Sequence, residues 1–171
     1  MAYDPLRGRV VLFGGYDPGR GTSSLGGFLF DTWEWDGANW TQRSSAGPAP
    51  RDDHEMVFDA ARGRILLFGG SDLNGPLTDT WEWDGAIWTQ RFPPSSPPSH
   101  TTFDLAYDVA RGRAVLFAAE TWEWDGATWT QRAMAVEPPL RLDHAMAYDS
   151  VRGRTVLFGG YSNSGLMADT W

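Results

Sequence analysis

Three imidazoles, a recurring set of aspartates and one out-of-pattern glutamate are the residues with chemistry to offer. His54, His100 and His144 each open a short alternating segment, so they could line one ring of metal ligands. Recurrence at a single repeat position argues instead for a structural hydrogen bond, since a zinc site wants mixed ligands with outer support. Arg51 and Arg141 stand three residues before their His, with Asp53 and Asp143 between. Such R-x-D-H strings read as an Arg–carboxylate pairing at the start of a strand. Ser96 to His100 lacks both the Arg and the Asp. Asp4, Asp59, Asp108 and Asp149 precede R-G-R turns and read as acceptors for turn N–H groups or for the Arg side chains. Glu120 replaces the Asp of the other repeats and carries no mechanism by itself. No two carboxylates can be given acid and base roles by position, and no Ser-His-Asp set is signalled. The expectation is a protein that is not an enzyme, with no metal and no cofactor.

Composition narrows the partners. The chain has 171 residues, 22 acidic against 14 basic, and a formal net charge of −8; every basic residue is Arg. Nucleic acid and anionic membrane need a concentrated positive field, so neither is an expected partner. Protein and carbohydrate remain. Cys is absent, which removes disulfides, thiol catalysis and Cys-based zinc together. No apolar run reaches the ~18 residues that insertion across a bilayer requires. The length suits one domain, residues 1–171.

The elements that position these residues come from a repeat. D-T-W-E-W-D-G begins at Asp31 and Asp79, E-T-W-E-W-D-G at Glu120, and D-T-W at Asp169. R-G-R is centred on Gly8, Gly63, Gly112 and Gly153, and W-T-Q-R starts at Trp40, Trp88 and Trp129. Trp33, Trp81, Trp122 and Trp171 are 48, 41 and 49 residues apart. A period of roughly 40 to 50 with Gly and Trp punctuation predicts four-stranded propeller blades. Strand a is His54 to Phe58, alternating in polarity. Strand b is an apolar run (Ile65 to Phe68, with Val10 to Phe13, Ala114 to Phe117 and Thr155 to Phe158 as counterparts) and predicts burial on both faces. Strand c carries Asp79, Trp81 and Trp83 on one face; an Asp-Gly turn leads into strand d at Trp88 to Arg91. The fold class is all-β, in segments 1–43, 51–91, 99–132 and 141–171. The Trp ladder reads as inter-sheet core, because packing obeys repeat symmetry and a ligand site breaks it.

Phe13-Gly14-Gly15 with Trp33 and Trp40, Phe68-Gly69-Gly70 with Trp81 and Trp88, and Phe158-Gly159-Gly160 with Trp171 resemble the kelch repeat. That pattern is found in bacterial kelch-like β-propellers and in the central domain of galactose oxidase. The third repeat departs, since Ala118-Ala119 follows Phe117 and the b–c loop is almost deleted. The resemblance covers essentially the whole chain and implies a kelch-type propeller. It does not bring copper chemistry, which in galactose oxidase uses a Tyr cross-linked to Cys. Kelch-like scaffolds host oxidases, lectin-like binders and protein-interaction platforms.

Strand counting predicts incomplete first and last blades and a segment of a longer propeller, with Met1-Ala2-Tyr3-Asp4 repeating as Met146-Ala147-Tyr148-Asp149. Unpaired edges would then drive self-association. Alternating strands put the R-G-R and D-G turns on one face and the b–c and d–a loops on the other. The turns are nearly invariant while the loops differ in each repeat, which makes the loops the expected recognition face. Candidate ligand residues are Tyr16, Asp17 and Arg20 (with Thr22 nearby), Asp72 and Asn74, and Tyr161 and Asn163. The leading expectation is a noncatalytic module binding a protein or glycan. The alternatives are the scaffold of a carbohydrate-active or oxidase enzyme with catalytic residues elsewhere, and a structural spacer. Cysteine absence fits cytosol and bacterial exterior equally; a longer protein of this kind suits a secreted or cell-surface setting.

Overall fold

The structure, a computed structural model, describes residues 1–20, 25–100 and 102–171, the Arg20 side chain excepted. Its described elements are strands apart from one 3-10 turn at Pro18–Arg20, so the all-β reading holds. The chain divides into two compact units, Met1–Phe58 with Gly63–Phe92, and Asp59–Arg62 with Pro93–Trp171.

In the first unit, β1 (Ala2–Asp4), β2 (Arg9–Tyr16), β3 (Phe28–Trp35) and β4 (Trp40–Ser44) pair in chain order as one antiparallel sheet. A second sheet begins with β5 (Glu55–Asp59) and β6 (Arg64–Phe68), passes through a small hairpin, β7 (Ser71–Asp72) and β8 (Gly75–Pro76), and ends with β9 (Thr80–Trp83) and β10 (Trp88–Arg91). The second unit repeats the pattern with β11 (Asp104–Asp108), β12 (Arg113–Phe117), β13 (Thr121–Trp124) and β14 (Trp129–Arg132). Strands β15 (Ala145–Asp149) and β16 (Arg154–Phe158) follow, then the hairpin β17 (Tyr161–Ser162) and β18 (Gly165–Leu166). Trp171 exchanges backbone hydrogen bonds with Leu157.

The recurring sequence strings become recurring turns. Asp4 Oδ1 accepts from the N–H groups of Leu6 and Arg7, and its Oδ2 accepts from the Arg7 guanidinium at 2.6 Å. Asp59, Asp108 and Asp149 hold their own R-G-R turns in the same way. Asp36, Asp84 and Asp125 each accept from two backbone N–H groups beyond their Gly, closing the D-G turns. The short polar side chain thereby replaces backbone partners that a tight turn leaves unmet.

Indoles form the core. Trp35–Trp40, Trp83–Trp88 and Trp124–Trp129 are facing cross-strand pairs with ring centroids 5.7, 5.4 and 5.5 Å apart and nearly equal tilts of 42, 42 and 41°. Trp83, Trp88, Trp124 and Trp129 are buried, whereas Trp40 is 45% exposed. Burying one indole removes on the order of 200 Å² from water, worth roughly 5 kcal/mol before entropy is subtracted. Within the first unit, Trp83 and Trp88 join Val11, Phe13, Met56, Ile65 and Leu67 in one apolar cluster. Two strands, β6 and β12, are buried on both faces as the apolar runs predict. Strands β2 and β16 depart from that expectation: β2 alternates and Phe158 is 55% exposed, because one face of each stays uncovered.

Close backbone approach explains the Gly-Gly pair. Asp52 and Ser71 form a bridge, as do Leu142 and Tyr161, so the incoming chain runs directly over Gly70 and Gly160. Both glycines have positive φ (95 and 98°), and a Cβ on Gly160 would sit 2.7 Å from the Leu142 carbonyl oxygen. Only glycine fits such a crossing.

Candidate functional site

The variable loops gather into one cleft in each unit. In the first, Asp72, Leu73 and Asn74 from the β7–β8 turn face Leu25, Phe28 and Pro50 across about 170 Å³. Tyr16 packs edge-on against Phe28 at 5.4 Å and is half exposed. Asp17 sits one residue on, with its N–H donating to the Gly27 carbonyl and its carboxylate accepting from Gly19 N–H. The structure therefore brings Tyr16, Asp72 and Asn74 to the same neighbourhood through Phe28. Asp72 is already engaged, accepting from the Asn74 backbone N–H at 2.6 Å, so its first role is to close the turn. Thr22 and the Arg20 side chain lie outside the described residues. In the second unit, Tyr161 and Asn163 line a cleft of about 510 Å³ with Leu140, Arg141, Leu142 and two serines.

A buried arginine, Arg141, lines the second cleft, and its counterpart Arg51 follows Pro50 of the first. Arg51 and Arg141 are 0% and 1% exposed. Arg51 grips Asp79 with both terminal nitrogens (2.6 and 2.8 Å), and also donates to the carbonyls of Gly69 and Ala49. Arg141 does the same to Asp169, Gly159 and Pro139. The expected Arg–carboxylate pairing is present, but its carboxylate differs from the one in the R-x-D-H string. Asp53 and Asp143 instead adopt left-handed backbone (φ 51 and 53°), a conformation Asp tolerates in turns. The true partner is the Asp of D-T-W, which also accepts from the indole N–H two residues on: Asp79 from Trp81 and Asp169 from Trp171. Burial pushes the Asp79 carboxyl up, yet the Arg51 guanidinium outweighs it and holds the group below the usual carboxylate range. Arg141 likewise holds Asp169 well below that range.

His54 and His144 pack against aromatic rings. His54 stacks edge-on against Phe13 at 5.6 Å, and its Nδ1 has no hydrogen-bond partner among the described residues; His144 makes the same contact with Phe117 at 5.3 Å. Burial lowers the His54 pKa to about 3, so the ring is neutral in the native state. An unfolded His titrates near 6.5. The unfolded chain therefore binds more protons between pH 6.5 and 3, and native stability falls as pH drops through that window. The prediction is that the His54 ring protons keep constant NMR shifts from pH 7 to 4.5 while the unfolding midpoint declines. A His54 resonance titrating near pH 6.5 in the folded chain would contradict it. Among the described residues no group of three or more His, Asp or Glu is placed to hold a metal.

The third repeat is built differently at this position. Pro97 occupies the place of the clamp arginine, and Glu120 lies 3.6 Å from His100 Nε2. The longer carboxylate thus leaves its indole, and Trp122 Nε1 has no hydrogen-bond partner among the described residues. Sequence reading passed over Glu34, Glu82 and Glu123, which alternate with the tryptophans of strand c and are buried at 6, 2 and 5% exposure. Their signal was available: strand alternation puts each on the face opposite the Trp, and Arg43, Arg91 and Arg132 lie on the adjoining strand to neutralise them. No family model and no curated protein matches the chain.

Proposed function

We propose that the chain is a noncatalytic recognition module of kelch-type β-propeller architecture, binding a protein or a glycan through its b–c and d–a loops. The observation that carries this reading is a division of labour between the two kinds of connection. In the R-G-R and D-G turns the Asp groups accept from their own turn's backbone N–H groups, and the first Arg of each R-G-R pairs with its turn Asp. The variable loops present side chains outward: in the first unit Tyr16 and Leu73 are 51 and 61% exposed, and in the second Tyr161 is 46% exposed. Aromatic rings with a polar rim, set on rigid strands, suit sugar faces and protein hot spots alike. Repeated four-stranded antiparallel sheets with one Trp-pair geometry support the architecture.

The test is a glycan array and a pull-down with the intact chain, followed by Tyr16→Ala, Asn74→Ala and Tyr161→Ala. Loss of one aromatic contact at the centre of the site should weaken binding by about tenfold or more. Retained binding after every b–c loop is shortened to Gly-Ser would remove this face from consideration.

A further inference from the structure

We propose that the cleft beside Tyr161 is a docking site for a loop of a partner protein, which fills it with two large apolar side chains, one of them aromatic. This rests on the loop-face reading above and names the partner of one cleft on that face.

The first unit shows how such a cleft is closed from within the chain. Pro50 and the β7–β8 turn residues Asp72, Leu73 and Asn74 form two walls. The b–c loop of the preceding repeat supplies a third wall with Leu25 and Phe28, and its backbone lies so near Leu73 that a Cβ on Gly26 would collide with that side chain. About 170 Å³ is left. In the second unit Leu140, Ser162, Asn163 and Ser164 hold the matching repeat positions and line the matching cleft. The preceding repeat here is the third, whose connection from β12 to β13 is only Ala118 to Glu120, closed on itself by the Ala118 N–H donating to the Glu120 carbonyl at 3.2 Å. Among the described residues none of that repeat lines the cleft, which widens to about 510 Å³. The lost wall is thus an internal deletion. Ligand pockets run from roughly 300 to 1,000 Å³, a range the second cleft enters and the first does not.

The side chains change together with the volume. Pro50, Asp52 and Ser71 of the first unit are replaced at the matching positions by Leu140, Leu142 and Tyr161, which are 61, 36 and 46% exposed. Clustered, exposed apolar side chains mark interaction sites. The polar groups of the cleft are turned to one another: the Ser162 and Ser164 hydroxyls bond at 2.8 Å, and Arg141, the one charged residue of the lining, is committed to Asp169. The cleft therefore offers no counter-charge to an acidic ligand and few polar groups to a sugar. Apolar side chains match it, and Leu25 with Phe28 are the pair that fills the equivalent space where the chain supplies its own loop.

The experiment pans a phage-displayed library of disulfide-closed random loops on the full chain and measures the selected loops, as fluorescein-labelled peptides, by anisotropy. Enriched loops should carry two large apolar residues, at least one of them aromatic, and alanine at either should weaken binding about tenfold or more, a test that leaves the protein unaltered. Leu142→Asp and Tyr161→Ser install the residues that the first unit carries at these positions, and each should weaken binding by a similar factor, with circular dichroism confirming the fold. Ile87→Ser, at an exposed position of a D-G turn, should leave binding unchanged. No enriched loop, equal binding by wild type and both cleft variants, or selected loops that bind without an apolar pair would overturn the proposal. So would a neutral oligosaccharide that displaces the loops and whose own binding tolerates Leu142→Asp, which would assign the cleft to a glycan. Loops that respond to Tyr16→Ala and to neither cleft variant would overturn it while leaving the loop-face reading intact.

Discussion

Arg51→Met lowers the free energy of unfolding by about 3 kcal/mol or more, in the range measured when one partner of a buried ion pair is removed. The guanidinium is fully enclosed, and it makes two bonds to Asp79 and two to backbone carbonyls. Truncation leaves the Gly69 carbonyl and half of the Asp79 carboxylate without donors in a place water reaches poorly. The Trp81 N–H remains on Asp79, which keeps the loss below that of an isolated buried charge. Urea unfolding of the single variants, of Asp79→Asn and of Arg51→Met with Asp79→Asn gives the coupling directly. A double variant no worse than Arg51→Met alone is the expected result. Additive losses would mean that the clamp bonds act separately. Acid works on the same contact: the Asp79 carboxyl is held low by folding, so its contribution is complete above the ordinary carboxylate range and fades as pH falls through the native value. Both this group and neutral His54 make the protein weaker in acid.

Trp83→Ala is the second large loss, about 3–5 kcal/mol, in line with removal of a large aromatic from a packed interior. The side chain is 1% exposed, tilts against Trp88 and donates to Glu34. Its removal opens a cavity and strips one donor from a carboxylate that is itself buried. Trp83→Phe should recover most of the packing but not the donor, so it should fall between wild type and Ala. Trp40→Ala, at the matching position of Trp88 but 45% exposed, should cost well under half as much. Equal losses at Trp40 and Trp83 in thermal or urea unfolding would refute the view that burial, not residue type, sets the effect.

How much of this was legible beforehand differs by feature. The strand order and turns were readable because they depend on neighbours in sequence: R-G-R, D-G and the two-residue alternation act over a few positions. The R-x-D-H string was read as local and proved not to be. Arg51 reaches Asp79, 28 residues away, and nothing in a four-residue pattern reveals that distance. The clue lay in joint absence, since the third repeat lacks the arginine and also carries Glu120 in place of the aspartate. Among the candidate loop residues, spacing could not separate Asp72, which closes its own turn, from Tyr16, which stays half exposed. Glu34 escaped notice because a charged residue between two tryptophans looks solvated until the sheet that covers it is known.

The Gly-Gly crossing and the arginine clamp are one inheritance. Where the incoming chain passes over Gly70 and Gly160, Arg51 and Arg141 are delivered to Asp79 and Asp169; where Ala118-Ala119 stands, the arginine and the aspartate are both gone. A single-step change at any of these positions meets a penalty that the others cannot relieve. Grafting one repeat into another register would therefore have to carry glycines, arginine and aspartate across together, or none of them.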